Sequence, residues 1–469
     1  MSNQTETQAG RAEQIAAMTA RLNRLPPSAT LWRLVMLLSL CGFFEIYEIA
    51  LTAFLSPGLI RDGVFHAGAK GLFGLTDQAS FAAATFAGLF IGAALFSSVA
   101  DRYGRRSVLT YSLLCYAIST VVMAAQNTAA GVDLWRLVAG IGVGVQLVTI
   151  DSYLAELVPK TVRGKAFAVS YGVMYLGVPT AALLCWLLLP SDPPLMAGWR
   201  WVASFAALAV PVVFWVRRLV PESPRWLLQR DQLEAAETVV ACLEARVAAD
   251  LRGPLPLPQA AAPQMEGQGG FAELLRPTYR RRTLMLLALN IFQALGFYGF
   301  SNWVPTLLAS QGVTFVKSLE YSFVIAIVYP VAPLLIALFA DRFEAKWQIV
   351  AGASGTAVFG LAFAQQSAPA LLVAFGALIT VSNILLSYSY HAYQTTLYPT
   401  RIRARAVGFV YSFSRLATVL SGFAIAIVLR DFGTTGVFAF IALCMLVVVI
   451  AVGVFGPQTR GLTLEESSQ

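Results

Sequence analysis

Apolar residues in this chain gather in long blocks separated by short polar stretches, and strand-like alternation is sustained nowhere. Twelve blocks can be placed, at about 32–60, 78–100, 107–126, 132–158, 164–190, 199–220, 283–309, 318–340, 347–366, 369–397, 404–429 and 434–456. At ~1.5 Å per residue each is long enough to cross ~30 Å of hydrocarbon. In that medium every backbone polar group must be bonded within the protein, which favours helices. The pattern predicts an all-α integral membrane protein with twelve transmembrane helices, residues 1–31 and 457–469 being polar tails. The longest polar insertion, 221–282, separates a six-helix half at 32–220 from another at 283–456. Inside it "DQLEAAETVVACLEARVAAD" reads as a short amphipathic helix and "LRGPLPLPQAAAPQMEGQGG" as a linker without a core. The linker is expected to be a tether without chemistry.

Composition agrees: 57% of residues are hydrophobic and 12% charged, with mean hydropathy +0.68, against about 25% charged in soluble domains. A net charge of +8 would suggest nucleic acid in a soluble chain. Here the basic residues lie between the apolar blocks and report orientation instead. With the N-terminus inside, 26 of the 33 Lys and Arg fall on the inner side and six on the outer, Arg136 and Arg430 being placed outside by position. Both termini are therefore expected in the cytoplasm. No apolar core of a cleavable signal peptide occurs in the first 30 residues, so the first apolar block is the expected insertion signal. The five cysteines show no spacing for a disulfide framework or a metal site.

An internal repeat then appears. Asp101-Arg102-Tyr103 recurs as Asp341-Arg342-Phe343, and "LVPKTVRGKA" at 157–166 recurs as "LYPTRIRARA" at 397–406, both at an offset of 240. Two independent matches at one spacing describe two pseudo-symmetric halves, with a ligand path between them. "DRYGRR" at 101–106, "PESPRW" at 221–226 and "PQTRGLTLEE" at 457–466 resemble signatures of the major facilitator superfamily and its sugar-porter-like branch. "FFEIYEIAL" and "GVGVQLVTIDSYLAELVPKTVRG" are most similar to its proton-coupled metabolite symporters, carriers of aromatic and other organic acids included. The second "DRF" departs from the pattern with Glu344 and Ala345, and Gln458 stands where the family usually has glutamate. The resemblance implies conformational gating by Asp101, Arg102, Gly104, Arg105, Arg106, Glu156 and Arg163, with Asp341, Arg342 and Arg403 as counterparts.

Gly140, Gly142 and Gly144 lie inside an apolar block with no strand before them, which favours close helix packing over a nucleotide loop. The chain holds no Walker motif, so the energy source is expected to be a gradient, with no cofactor and no metal. Glu45 and Glu48, three residues apart in the first block, share a helix face near mid-membrane. Each has two readings, a pair with a basic residue of another helix or a protonatable site, since withdrawal from water favours a neutral carboxyl. Arg415 reads as the only basic residue well inside a span, and needs either a carboxylate of the protein or one of a substrate. Asp151 and His391 are related by the same offset of 240; Asp151 is a further proton-coupling candidate and His391 a titratable binding candidate. Gln146, Asn290, Gln293, Tyr298, Asn302, Asn383 and Tyr388 could orient a ligand or bond neighbouring helices.

These residues point to a non-enzymatic secondary transporter in the cytoplasmic membrane. The expected activity is proton-coupled symport of a small organic anion, such as a carboxylate metabolite or an aromatic acid, by a monomer embedded in lipid and independent of nucleic acid. A neutral sugar or polyol is the alternative cargo, and a membrane ligand sensor without turnover the alternative class.

Overall fold

The computed structural model describes residue 14 and residues 17–66, 76–95, 102–191, 193–258, 273–274, 276–339, 342–398 and 400–458. Its long helices are α1 Ala29–Phe54, α2 Asp77–Leu95, α3 Arg105–Ala124 and α4 Ala129–Leu157. They continue with α5, Lys160–Tyr175 running on into Gly177–Leu188, and α6, Gly198–Ser204 continuing to Ala209–Leu219. Next come α7 Pro277–Ser301, α8 Phe315–Ala326 with Val328–Phe339, α9 Ala345–Ala364 and α10 Pro369–Thr396. The last run, Thr400–Phe455, is broken at Gly433, whose φ of +65° is open to glycine but not to helix; α11 precedes the break and α12 follows it. Ten stretches among the described residues are long and apolar enough to cross a membrane, the last covering both α11 and α12, and α2 runs up to residues outside the described set.

Helix contacts explain how the bundle closes. α2 packs closely on α4 and α7 on the α11–α12 run, while α2 also meets α11 and α5 meets α8, so the first six helices touch the last six along two seams. Small residues make the tightest contacts possible. A Cβ on Gly88, Gly92, Gly140 or Gly144 would collide with backbone of the facing helix, and one on Gly142 would lie 2.9 Å from the Ser112 carbonyl oxygen. The glycines of the fourth block are therefore packing residues, as lipid-exposed helices require when no hydrophobic force separates lipid from protein contact.

The insertion carries the expected amphipathic helix, and it docks. Its helix Leu233–Leu251 buries Ala236, Val240, Leu243 and Val247, one stripe at helical spacing, in the core that also contains Met18, Leu22 and Leu25. Arg21 and Arg24 each bond Glu244 at 2.7 Å, and the Asp250 carboxylate accepts the Thr30 N–H at 2.7 Å, closing the start of α1. Burial opposes ionisation of Glu244, but the hydrogen bonds from Arg21 and Arg24 prevail and hold it below the usual carboxylate range. This part of the insertion is a docked element rather than a free tether, because its apolar stripe finds the tail's leucines. The Pro/Gly/Gln portion at 259–272 lies outside the described residues.

Candidate functional site

Glu45 and Glu48 are both 1% exposed, yet they meet different fates. Glu48 accepts from Arg136 Nη1 at 2.7 Å, and Arg136 is itself 1% exposed on α4. The same guanidinium donates to the Glu48 carbonyl oxygen, to Thr52 Oγ1 at 3.0 Å and to Thr85 Oγ1 at 2.9 Å, and lies over the Phe81 ring. One arginine thus ties α1, α2 and α4 with its donor fork. Arg136, read by position as an outer-side residue, is buried inside the bundle, so Arg415 is not the only basic residue well inside an apolar helix. Arg136 was obscured because α4 begins at Ala129, so a residue counted as a loop end lies seven residues into the helix.

Glu45 has no such partner among the described residues: it forms no ion pair, and its Oε2 is buried without a hydrogen-bond partner. Gln146 lies beside it, bonded through Nε2 to the Cys41 carbonyl at 2.9 Å and to Tyr116 Oη at 3.4 Å, with its own Oε1 unpartnered. Asp151 and Arg415 are the charged groups within electrostatic reach.

Arg415 is half-buried on α11, lies 4.6 Å over the Tyr411 ring and donates to Tyr298 Oη at 3.3 Å. It forms no ion pair among the described residues, and its Nε is buried without a partner. Rings surround it: Tyr298 meets Phe86 of α2 edge-on at 5.1 Å, and Tyr175 stacks on Tyr171 at 6.3 Å and reaches Tyr329 of α8 at 6.2 Å. His391 faces Tyr411 at 5.5 Å, and its Nδ1 bonds the Ser387 carbonyl at 2.8 Å, which leaves Nε2 to accept from Tyr390 at 3.2 Å. Asp151 accepts from Tyr171 Oη at 3.0 Å. The helices carrying Asp151 and His391 end at Leu157 and Thr396, so the two residues stand at nearly the same distance from their helix ends. Sequence reading missed most of these tyrosines, since a tyrosine in an apolar span looks like any core aromatic. Only Tyr171 and Tyr175 carried a signal, their i, i+4 spacing on one helix.

Other candidates are placed differently. Asn383 accepts from Thr356 at 3.0 Å between α10 and α9, and Asn290 donates to its own helix at Leu286 and to Gln394 at 3.5 Å. Gln293 and Asn302 are buried, whereas Tyr388 is 43% exposed on the stripe of Leu371, Leu378 and Val381. At the start of α3, Glu222 of the segment that follows α6 accepts the N–H groups of Arg105 at 2.8 Å and Arg106 at 3.1 Å, capping the helix. Arg105 also pairs with Glu156 at 3.4 Å, Arg102 lies over Tyr103, and Arg163 donates to the Val158 carbonyl at 3.1 Å. Asp101, Asp341 and the Arg403 side chain lie outside the described residues.

Gly104 makes the Glu222 cap possible. Its φ is +93°, and a Cβ there would strike the Glu222 carboxylate. Gly104→Ala is therefore expected to cost about 1–3 kcal/mol of local stability and to slow transport several-fold while ligand binding persists. Unchanged transport by Gly104→Ala in proteoliposomes would show that the cap can be rebuilt.

Comparisons with known proteins agree with this architecture. The model of the sugar (and other) transporter family matches residues 34–469. YyaJ of Bacillus subtilis, provisionally named a metabolite transport protein, is 30% identical over 94% of this chain and 95% of its own. The niacin transporter NiaP of Acinetobacter baylyi is 25% identical over 96% and 99%. The partially occluded, inward-open structure of the E. coli xylose transporter XylE superposes with a TM-score of 0.72 at 19% identity, covering 93% of this chain and all of that one. The chain is thus an integral membrane transporter of the major facilitator superfamily and belongs to its sugar (and other) transporter family.

Proposed function

We propose that this transporter carries a small organic anion in symport with protons across the cytoplasmic membrane, with both termini inside. The observation that carries the reading is Arg415, a guanidinium between the halves that forms no ion pair with a carboxylate among the described residues and has its Nε buried without a partner, set against tyrosine faces. An uncompensated cation at that depth is costly until a ligand supplies the negative charge, and the planar fork suits a carboxylate. Flat aromatic walls favour an acid with a ring over a short aliphatic one. The relative NiaP, a niacin transporter, is compatible with such a cargo. With Arg136 buried inside the bundle, five outer basic residues remain by position, in keeping with the inside-positive asymmetry.

Glu45 is the proton carrier in this reading. It is a buried carboxyl without a counter-ion among the described residues, whereas Glu48 is held by Arg136. With the carboxylate on Arg415 and a proton on Glu45, the centre approaches neutrality and the halves can rock around it. A neutral sugar is the second reading, favoured by the family match. Arg415→Gln decides between them: binding of a carboxylate ligand should fall at least about a hundredfold, consistent with losing a bidentate charged pair. Arg415→Lys should recover little of it, because a point charge cannot reproduce the fork. Unchanged carboxylate affinity in Arg415→Gln, with sugar binding in the native protein, would establish the sugar carrier. Binding without counterflow of labelled ligand would establish the sensor.

A further inference from the structure

Resting on the assignment of Arg415 as the carboxylate site, we infer that the substrate is a ring acid bearing a hydrogen-bond donor remote from its carboxylate, and that Asp151 receives that donor.

Asp151 is the second charged group facing this region. Tyr171 Oη donates to one of its oxygens at 3.0 Å, and no other hydrogen bond or ion pair to it occurs among the described residues. Asp151 is half-buried, and a carboxylate bonded through one oxygen only has acceptor capacity to spare. Tyr171 and Tyr175 stack at 6.3 Å, and Tyr175 lies within electrostatic reach of both Asp151 and Arg415. Tyr298, which bonds Arg415, lies within the same reach of Tyr175. The region between the halves therefore has a cation at one end, an open acceptor at the other and aromatic faces between.

The ends differ in depth. Asp151 lies six residues before the end of α4 at Leu157, roughly 9 Å along the axis, and Arg415 fifteen residues after Thr400, roughly 22 Å. Both distances are measured from the same end of the bundle, because α4 and α11 run in opposite directions. Helical side chains lean toward their own N-termini, so Arg415 and Asp151 lean toward each other. The axial separation of roughly 13 Å at Cα thereby narrows to the scale of one substituted ring. A plain apolar acid would fill the aromatic part and leave the Asp151 oxygen against a C–H edge, at the cost of an unpaired buried acceptor. A polyol could serve Asp151 but offers nothing to Arg415. A ring acid carrying a hydroxyl or amino group satisfies both.

The test is a ligand series on the purified full-length protein in detergent, with Kd measured by calorimetry for benzoate, 3- and 4-hydroxybenzoate, 4-aminobenzoate and 4-methoxybenzoate. At least one donor-bearing acid is expected to bind about tenfold or more tightly than benzoate, as a hydrogen bond to a charged group implies. 4-Methoxybenzoate, similar in size but without the donor, should not share the gain. In Asp151→Ala the ratio of donor-bearing acid to benzoate should collapse toward one. Equal affinities across the native series overturn the inference, and this comparison needs no variant to fold. A ratio unchanged in Asp151→Ala overturns the assignment to Asp151. Arg415→Gln separates the two proposals. If it weakens every acid while the native protein shows no donor preference, only the present inference fails; if it weakens none, the carboxylate site itself is wrong.

Discussion

Glu45→Gln protein is expected to bind its substrate and exchange it across proteoliposomes, yet fail to concentrate it when a pH gradient is imposed. Glutamine mimics the neutral carboxyl, so the variant is held permanently in the proton-loaded form and can cross between states only as such. Steady-state accumulation, which scales with the coupled proton, should fall from many-fold to about unity, while exchange stays within a few-fold of the native rate. Glu48→Gln is expected to behave differently, because Arg136 then loses its only carboxylate partner among the described residues and the fault becomes one of folding. A double substitution, the natural choice when both glutamates look alike, would mix these two effects. The single Glu45 variant is the informative one. Accumulation by Glu45→Gln equal to that of the native protein would remove Glu45 from coupling and make Asp151 the next candidate.

How well the chain could be read from its residues depended on the physics of each feature. Spans were legible because lipid demands an uninterrupted apolar block, and α10, expected at 369–397, runs Pro369–Thr396. The repeat was legible because two charged segments, at 101–103 and 157–166, recur at one offset of 240. What stayed hidden depended on pairing across helices. Glu45 and Glu48 have the same residue type, face and burial, and only the approach of Arg136 from α4 distinguishes them. Arg136 itself sits near a helix start, where a basic residue ordinarily means an interface rather than a buried partner. The docked insertion was hidden for a similar reason: its stripe Ala236, Val240, Leu243 and Val247 was visible, but its partners Met18, Leu22 and Leu25 lie more than 200 residues earlier. Tyrosines gave no warning of their grouping, because a hydroxyl among apolar residues shows its purpose only when the neighbours are known.

Arg136→Met should be the most destabilising single substitution around this site. The native guanidinium makes four hydrogen bonds across three helices, and its removal leaves the Glu48 carboxylate buried with no counter-ion among the described residues. Breaking a buried pair from one side costs about 3–5 kcal/mol, more than the net worth of the pair, because the penalty is mostly the stranded charge. The double variant Arg136→Met/Glu48→Leu strands nothing and fills the space with apolar atoms, so it should recover most of the loss. Thermal unfolding of the detergent-purified proteins would then rank native and double variant close together, with Arg136→Met well below both. Coupling energy in this cycle of about 2 kcal/mol or more would identify the pair as the joint of α1, α2 and α4. Additive losses, with the double variant weaker than either single one, would mean that Thr52, Thr85 and the Glu48 carbonyl, rather than the carboxylate, are what Arg136 holds. Since the double variant keeps Glu45, it also asks whether the ion pair is needed for coupling: accumulation under a pH gradient should survive in it and be absent from Glu45→Gln.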